Sequence, residues 1–264
     1  MTLPDSPPRM SPAAARAHFR GGAARPTAGW APGHIQANLV AVPAGWAPDL
    51  AQFCRSNPQP CPVLDVTAPG AWRTPLAPDA DLRTDLPRYR IWQDGTLAGE
   101  PADVTAHWRE DLVTFLIGCS FTFENALADA GIPLRHVEQG RNVPMYVTNR
   151  ACRPGGRLNG PLVVSMRPVP ARLVAGAWRA SAALPAAHGG PVHVGDAARL
   201  GIGHLDRPDF GEAVALEPGD VPVFWACGVT PQAALMRARI PFAITHAPGY
   251  MFITDARDKE YRVA

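Results

Sequence analysis

Short apolar segments, separated by turn-forming residues, run along the whole chain. The segments apolar enough for buried strands are 35–42, 62–66, 88–92, 144–148, 162–166, 192–194, 221–225, 242–245 and 250–254. Short runs bounded by glycine and proline are typical of strands, although the first of them would also suit the start of a helix. The pattern therefore predicts many short strands.

Helical segments are predicted between these strands. Apolar residues at helical spacing favour a helix over 103–116, and Gly131 ends a second one over 121–130. Thr230 as N-cap, with Pro231 at the first helical position, predicts another. Further helices are expected over 13–19, 47–55 and 171–184. Alternating strands and short helices indicate a mixed α/β fold.

The composition is that of a folded globular protein. Of the 264 residues 47% are apolar and 18% are charged, and the 24 glycines and 30 prolines favour short elements joined by fixed turns. The net charge of +2, without a basic run, gives no reason to expect a nucleic-acid partner. No window approaches the roughly 18 apolar residues of a membrane-spanning helix, so we expect no membrane partner.

The cysteines and the N-terminus favour a reducing, cytoplasmic location. The five cysteines are odd in number and lack CxxC spacing, which argues against a disulfide framework or a structural zinc site. The segment Met1–Arg20 lacks the apolar region of a signal peptide. Motifs for ATP, nicotinamide, serine-hydrolase and zinc-protease chemistry are missing, so we expect no cofactor and no bound metal.

Several polar residues fall at predicted strand ends and helix starts, where α/β proteins hold ligands. Ser120 opens a helix whose backbone N–H groups could bind a carboxylate, although it could equally be a simple cap. Ser165 and Arg167 end an apolar strand and suit an anion, unless Arg167 is merely exposed. Arg135 could clamp a carboxylate or belong to a solvated face. The other candidates for substrate binding are Asn142, Tyr146, Asn149 and Thr230.

Three histidines and a cysteine are candidates for catalysis. His188 and His193 flank a Gly-Gly-Pro turn; either could serve as acid or base, while a shared metal would need a third ligand that is not evident nearby. His246 lies where a strand meets a turn, and Asp255 could orient its imidazole. Cys227 precedes a helix, where a thiol pKa falls, although most such cysteines are simply buried. Together these positions predict an active site within Gly118–Asp255.

Longer strings of the sequence resemble one known family. They are QANLV, FCRSNPQPCPVLDV, DLRTDLPRYR, GCSFTFENAL, GIPLRHVEQGRNVPMYVTN, GPLVVSMRP, HGGPVHVG, PVFWACGVTPQ and ITHAPGYMFITD. In combination they are similar to the D-glutamate cyclase family, whose bacterial members are often named hydro-lyases. The resemblance extends from about Phe19 to Asp255. Tyr250 and His204 depart from it, since the family pattern has histidine and an acidic residue there.

The resemblance implies an α/β fold with a mixed sheet, in which a three-layer αβα part is joined to a smaller two-layer α/β part. We assign residues 1–110 with 229–264 to the larger part and 111–228 to the smaller, within one functional unit. The family's reaction is the closure of D-glutamate to 5-oxo-D-proline with loss of water. The expected partner is therefore a small amino or hydroxy acid, and homo-oligomerisation is left open.

Residue chemistry suggests roles for these side chains in such a closure. Arg135 or Arg167 would hold a carboxylate, while His188, His193 or His246 would move protons. Backbone N–H groups at 118–120 or 228–230 would stabilise an oxyanion. Two other functions stay open: a non-catalytic carboxylate-binding module or accessory subunit of 5-oxoproline metabolism, and dehydration of a different amino or hydroxy acid.

Overall fold

The computed structural model describes residues 10–263 and confirms the mixed α/β fold. The strands are β1 (His34–Pro43), β2 (Val63–Val66), β3 (Tyr89–Gln93), β4 (Thr96–Gly99), β5 (Leu112–Gly118), β6 (Met145–Ala151), β7 (Pro161–Pro170), β8 (His193–Val194), β9 (Asp220–Ala226), β10 (Phe242–His246) and β11 (Phe252–Arg257). The α-helices are α1 (Pro12–Arg20), α2 (Ala47–Ser56), α3 (Phe121–Asp129), α4 (Arg135–Glu138), α5 (Val174–Ala182) and α6 (Thr230–Arg237).

The larger sheet has seven strands, in the order β2-β5-β1-β10-β3-β4, and β11 also pairs with β1. Its pairings are antiparallel, and β1 runs beside β5 from Ala37 opposite Gly118 to Pro43 opposite Leu112. Because side chains alternate along a strand, Val40 faces a cluster that includes α2 and α6. Leu39 faces a second cluster on the other side. The central strands are therefore covered on both faces.

The smaller sheet has four strands, in the order β6-β7-β9-β8, and its pairings are antiparallel. Trp225 packs on one face with side chains of α3 and α5. Phe224, its neighbour, packs on the opposite face with Met166. This sheet thus has its own apolar layers.

The two sheets meet at Asn38 of β1. Its side-chain amide donates a 2.7 Å hydrogen bond to the backbone oxygen of Gly118, at the end of β5. A Cβ at Gly228, just after β9, would lie 2.1 Å from the same amide nitrogen. The ends of a strand from each sheet are therefore in contact, and the polar residues around them share one interior.

The predicted helix over 103–116 is wrong. The structure has a single 3-10 turn, Thr105–His107, followed by β5. All seven residues of β5 are buried, because the strand lies between β1 and β2. A strand buried on both faces carries apolar residues at nearly every position, so a helical spacing arises by coincidence.

One smaller difference and one alternative left open by the sequence concern the predicted elements. The cap position of α6 is Val229 rather than Thr230, whose hydroxyl instead accepts a 3.1 Å bond from the Val163 backbone N–H. The segment 35–42, for which the sequence allowed either a strand or a helix, is a strand.

The predicted division of the chain assigned residues 111–228 to the smaller part. β5 falls within this segment but pairs in the larger sheet. The division of the chain into two parts stays a prediction.

Candidate functional site

A buried ion pair links the start of α3 to the middle of β7. Arg167 Nε donates a 2.9 Å hydrogen bond to Glu124 Oε1, and Arg167 Nη2 also donates to that oxygen. The side chains are 1% and 2% exposed, respectively. Removing either partner would leave a buried charge uncompensated, which is strongly unfavourable.

Two serines complete the surroundings of the guanidinium. Arg167 Nη2 donates a 3.0 Å bond to the hydroxyl of Ser120, and Nη1 donates a 3.1 Å bond to the hydroxyl of Ser165. Ser120 occupies the cap position of α3, but its side chain makes no capping bond. It is therefore committed to Arg167 rather than to the helix.

His136 approaches the same carboxylate from α4. Its Nε2 lies 3.0 Å from Glu124 Oε1, and its ring stacks on Phe121 with ring centroids 6.4 Å apart. Burial alone would raise the pKa of Glu124, but the electrostatic interactions and hydrogen bonds with His136 and Arg167 outweigh it and hold that pKa below its usual value. Glu124 is accordingly ionised at neutral pH. We call Arg167, Glu124, His136, Ser120 and Ser165 the arginine network.

The network contains polar atoms that the protein does not satisfy. Among the described residues, Glu124 Oε2 and His136 Nδ1 are buried without a hydrogen-bond partner, and His136 Nε2 has only its 3.0 Å approach to Glu124 Oε1. Buried polar atoms in native structures are nearly always paired with protein, water or ligand. Glu124 Oε2 and His136 Nδ1 therefore mark where a polar molecule can bind.

Two thiols lie near the arginine network, each directly after a strand. Cys119 follows β5 of the larger sheet, and Cys227 follows β9 of the smaller sheet. Cys119 and Cys227 belong to one buried cluster with Phe121 and Met251. Burial raises the pKa of Cys227 to about 11, although a hydrogen bond with the Val229 backbone and the charge of Arg167 oppose the rise. Burial likewise raises the pKa of Cys119. Both thiols are therefore protonated at neutral pH.

His188 has an unusual backbone conformation and follows a turn that packs against the end of β5. Its φ is 77°, in the left-handed region, and its Nδ1 lies 2.8 Å from the backbone oxygen of Gln59. Burial lowers its pKa to about 4; the bond with Gln59 opposes this, and the charge of Arg167 adds to it. The turn before His188 contains Ala186, whose backbone oxygen would lie 1.7 Å from a Cβ at Gly118. Position 118 therefore accommodates only glycine.

The other two candidate histidines are held apart from the arginine network. His246 is buried in β10, with Nδ1 3.1 Å from the oxygen of Leu39, and burial lowers its pKa to about 4. Asp255 pairs with Arg16 at 2.9 Å rather than with His246. His193 Nε2 lies 2.7 Å from the oxygen of Asp196 and the residue is half-buried in β8.

The remaining predicted residues have separate partners. Arg135 pairs with Asp220 at 2.9 Å and with Glu138 at 3.0 Å, so its guanidinium is already occupied by carboxylates. Tyr146 donates a 2.7 Å bond to the oxygen of Leu205, and Asn142 donates a 3.0 Å bond to the oxygen of Pro248. Asn149 is exposed on β6. Of the predicted substrate-binding residues, the structure brings Ser120, Ser165 and Arg167 together.

The sequence prediction missed Glu124 and His136 as site residues. Glu124 carried a usable signal, since it is a charged residue in the first turn of the helix and directly follows Phe123. His136 carried no such signal, because a histidine directly after Arg135 suggests a solvent-exposed polar surface. Among the described residues, no group of three or more histidine, cysteine or acidic side chains is arranged to hold a metal ion. None of the helices described combines the length and apolar character needed to cross a bilayer.

Comparison with known proteins places these residues in a family context. A family model described as D-glutamate cyclase matches residues 113–255. A Streptomyces coelicolor protein named "Putative hydro-lyase SCO1412" is 70% identical over 96% of this chain and 92% of its own length. A Rhodococcus opacus protein named "Putative hydro-lyase" is 63% identical over 98% of this chain and 97% of its own. A solved nitrogen repressor-like protein from Methanococcus jannaschii, 10% identical over 93% of this chain and 98% of its own, has a TM-score of 0.38, which carries no inference.

Proposed function

Since this chain belongs to the D-glutamate cyclase family, we propose that it is a hydro-lyase that closes D-glutamate to 5-oxo-D-proline with loss of water. The hydro-lyase names of relatives that cover nearly the whole chain support the reaction class. The identity of the substrate and its D configuration are more specific than the reaction class. They follow from the family description.

The observation that carries the proposal is the arginine network. All five of its residues lie within 113–255, the region that the family model matches. It combines a buried positive charge, an ionised carboxylate and unsatisfied polar atoms in one place. A dicarboxylic amino acid offers the complementary groups, namely two carboxylates and an ammonium.

The closure makes three demands on the protein. The amine must lose its proton, the γ-carboxyl group must be polarised, and the chain must be folded so that the two groups meet. Holding reacting groups in place supplies much of the rate of an intramolecular reaction. In our proposal the charge of Arg167 attracts a substrate carboxylate, and Glu124 Oε2 accepts a hydrogen bond from the ammonium.

The test is direct turnover by the purified protein. D-glutamate, L-glutamate, 5-oxo-D-proline and a panel of hydroxy acids are incubated separately, and products are resolved by chiral chromatography. We expect 5-oxo-D-proline from D-glutamate, with loss in Glu124→Gln. His204→Ala is the control, because His204 is an exposed residue outside the network.

Other outcomes of the same assay identify the alternatives. Binding of D-glutamate detected by thermal shift, without turnover, would favour a non-catalytic carboxylate-binding module. Turnover of another acid in the panel would retain the hydro-lyase reaction class and reject D-glutamate. Equal turnover of wild type and Glu124→Gln would remove the arginine network from the proposal.

A further inference from the structure

His188 is held in a backbone conformation that few non-glycine residues adopt. Its φ of 77° lies in the left-handed region, which glycine and asparagine occupy far more easily. A residue kept in such a region costs stability, and such residues cluster at functional sites. The side chain, rather than the backbone, therefore gives the reason for a histidine at this position.

The hydrogen bond to Gln59 fixes the tautomer of the imidazole. A backbone oxygen can only accept, so His188 Nδ1, 2.8 Å away, carries the proton. The ring is neutral at pH 7, because burial lowers its pKa to about 4. Nε2 is then unprotonated, and it has no hydrogen-bond partner among residues 10–263. The ring thus presents a free basic nitrogen.

The other buried histidines lack this combination. In His246, Gln232 Nε2 lies 3.4 Å from both ring nitrogens and donates a 3.0 Å bond to the backbone oxygen. In His136, Nε2 lies 3.0 Å from Glu124 Oε1. Among the buried histidines described, only His188 combines a left-handed backbone conformation, a fixed tautomer and a ring nitrogen without a partner.

The packing of its turn places His188 near the arginine network. Ala187, which precedes it, packs in one buried cluster with Phe123 and Trp225. The guanidinium carbon of Arg167 lies 5.1 and 5.5 Å from the centroids of those two rings. The turn that ends at Ala187 packs the oxygen of Ala186 against Gly118, two residues before Ser120. A substrate held by the network would lie within reach of this turn.

We propose that His188 Nε2 is the general base that takes the protons of the substrate amine, an inference that rests on the proposed cyclisation. In the closure the ammonium nitrogen loses two protons and forms a bond to the γ-carboxyl carbon. One γ-oxygen is expelled, receives both protons and leaves as water. The imidazole accepts each proton from nitrogen and passes it to the departing oxygen, so it ends the cycle neutral.

The variant His188→Gly separates the side chain from the backbone. Glycine suits the left-handed conformation, so the fold is expected to persist, while turnover of D-glutamate falls by roughly 10²–10⁴-fold. Added imidazole should restore part of the rate. Asp94→Gly is the matched control: Asp94 has a φ of 50° on the exposed β3–β4 turn, and its variant should keep full turnover without responding to imidazole. Undiminished turnover of His188→Gly, or a loss that imidazole does not restore, overturns the assignment.

A second measurement does not depend on turnover. In ¹⁵N spectra of histidine-labelled wild type at pH 7, the His188 signal, identified by its loss in His188→Gly, should show Nδ1 protonated and Nε2 unprotonated. The Nε2 resonance should move when 5-oxo-D-proline or D-glutamate is added. The opposite tautomer, or a signal that neither compound moves, rejects the assignment. A wild type that converts no acid in the panel contradicts the proposed reaction separately.

Discussion

Arg167 makes both of its hydrogen bonds to Glu124 through a single carboxylate oxygen, Oε1. The usual fork-to-fork pairing of arginine with a carboxylate engages both oxygens. Here the second oxygen, Oε2, is buried without a partner in the described part of the chain. The arrangement neutralises the charge of Glu124 and yet keeps one of its oxygens available as an acceptor.

Breaking this pair should destabilise the fold strongly. In Glu124→Ala the guanidinium of Arg167 loses its buried counter-charge, and we expect the free energy of unfolding to fall by about 3–5 kcal/mol. Urea denaturation measures this change. Asp111→Ala is the matched control, because the Asp111–Arg109 pair is 45% and 48% exposed and should be worth about 0–1 kcal/mol. Equal effects of the two variants would contradict the buried pair.

The geometry of Arg167, and not its charge alone, should matter for turnover. Arg167→Lys keeps the positive charge but loses the planar fork that reaches Glu124, Ser120 and Ser165 together. We expect the protein to fold and turnover to drop by roughly 10²-fold, since small displacements of positioning groups have effects of that size. Steady-state kinetics with D-glutamate checks this. Turnover at the wild-type level would show that charge suffices.

Gly118 should tolerate no side chain. A Cβ there would lie 1.7 Å from the oxygen of Ala186, so Gly118→Ala must displace the turn that carries His188. We expect a loss of at least about 1–3 kcal/mol in unfolding free energy, together with reduced turnover. Gly99→Ala is the control, because a Cβ at Gly99 meets nothing within 4 Å. A crystal structure of Gly118→Ala with an unmoved turn would refute this.

Stability should fall on mild acidification because of two buried histidines. Burial lowers the pKa values of His188 and His246 to about 4, whereas in the unfolded chain each returns to about 6.5. Between these values the unfolded state binds more protons, so the free energy of unfolding decreases as pH falls from about 6.5 to 4. At pH 5 the loss should be about 2 kcal/mol per histidine relative to pH 7.5.

Denaturation by urea at the two pH values measures this loss. The depressed pKa of Glu124 contributes little between pH 7.5 and 5, because its stabilising effect is lost as pH falls from the ordinary carboxylate pKa towards the lower value of the folded state. His204→Ala, which removes an exposed histidine, should leave the pH dependence unchanged. His246→Gln should reduce it by about half. A wild type equally stable at pH 5 and 7.5 would show that both rings titrate normally.

The sequence alone determined the mixed α/β class and the positions of most elements. Apolar runs such as 162–166 and the turn residues around them are local features, and local features are what a linear pattern records. The family strings pointed to the reaction class in the same way. Ser165 and Arg167 were selected because polar residues after a short apolar run are also visible locally, although the strand continues to Pro170 and both residues lie within it rather than at its end.

Tertiary structure decided which polar residues share an interior. Glu124 and Arg167 are 43 positions apart, and no local pattern reveals that they meet. Arg135 and Arg167 look equivalent in sequence, but Asp220 occupies the first while the second lies in the buried network. The fate of each arginine depends on long-range pairing of charges, because a buried charge is stable only where the fold brings it a partner.

Long-range contacts and burial also explain the outcome of two predictions that were made from local sequence patterns. The segment 103–116 has helical spacing, but pairing with β1 and β2 makes 112–118 a strand, since long-range sheet contacts outweigh a weak local preference. Cys227 precedes a helix, which would lower its pKa, yet burial raises that pKa to about 11. The sequence therefore determines which chemical groups are present, whereas burial and long-range contacts decide their charge states and partners.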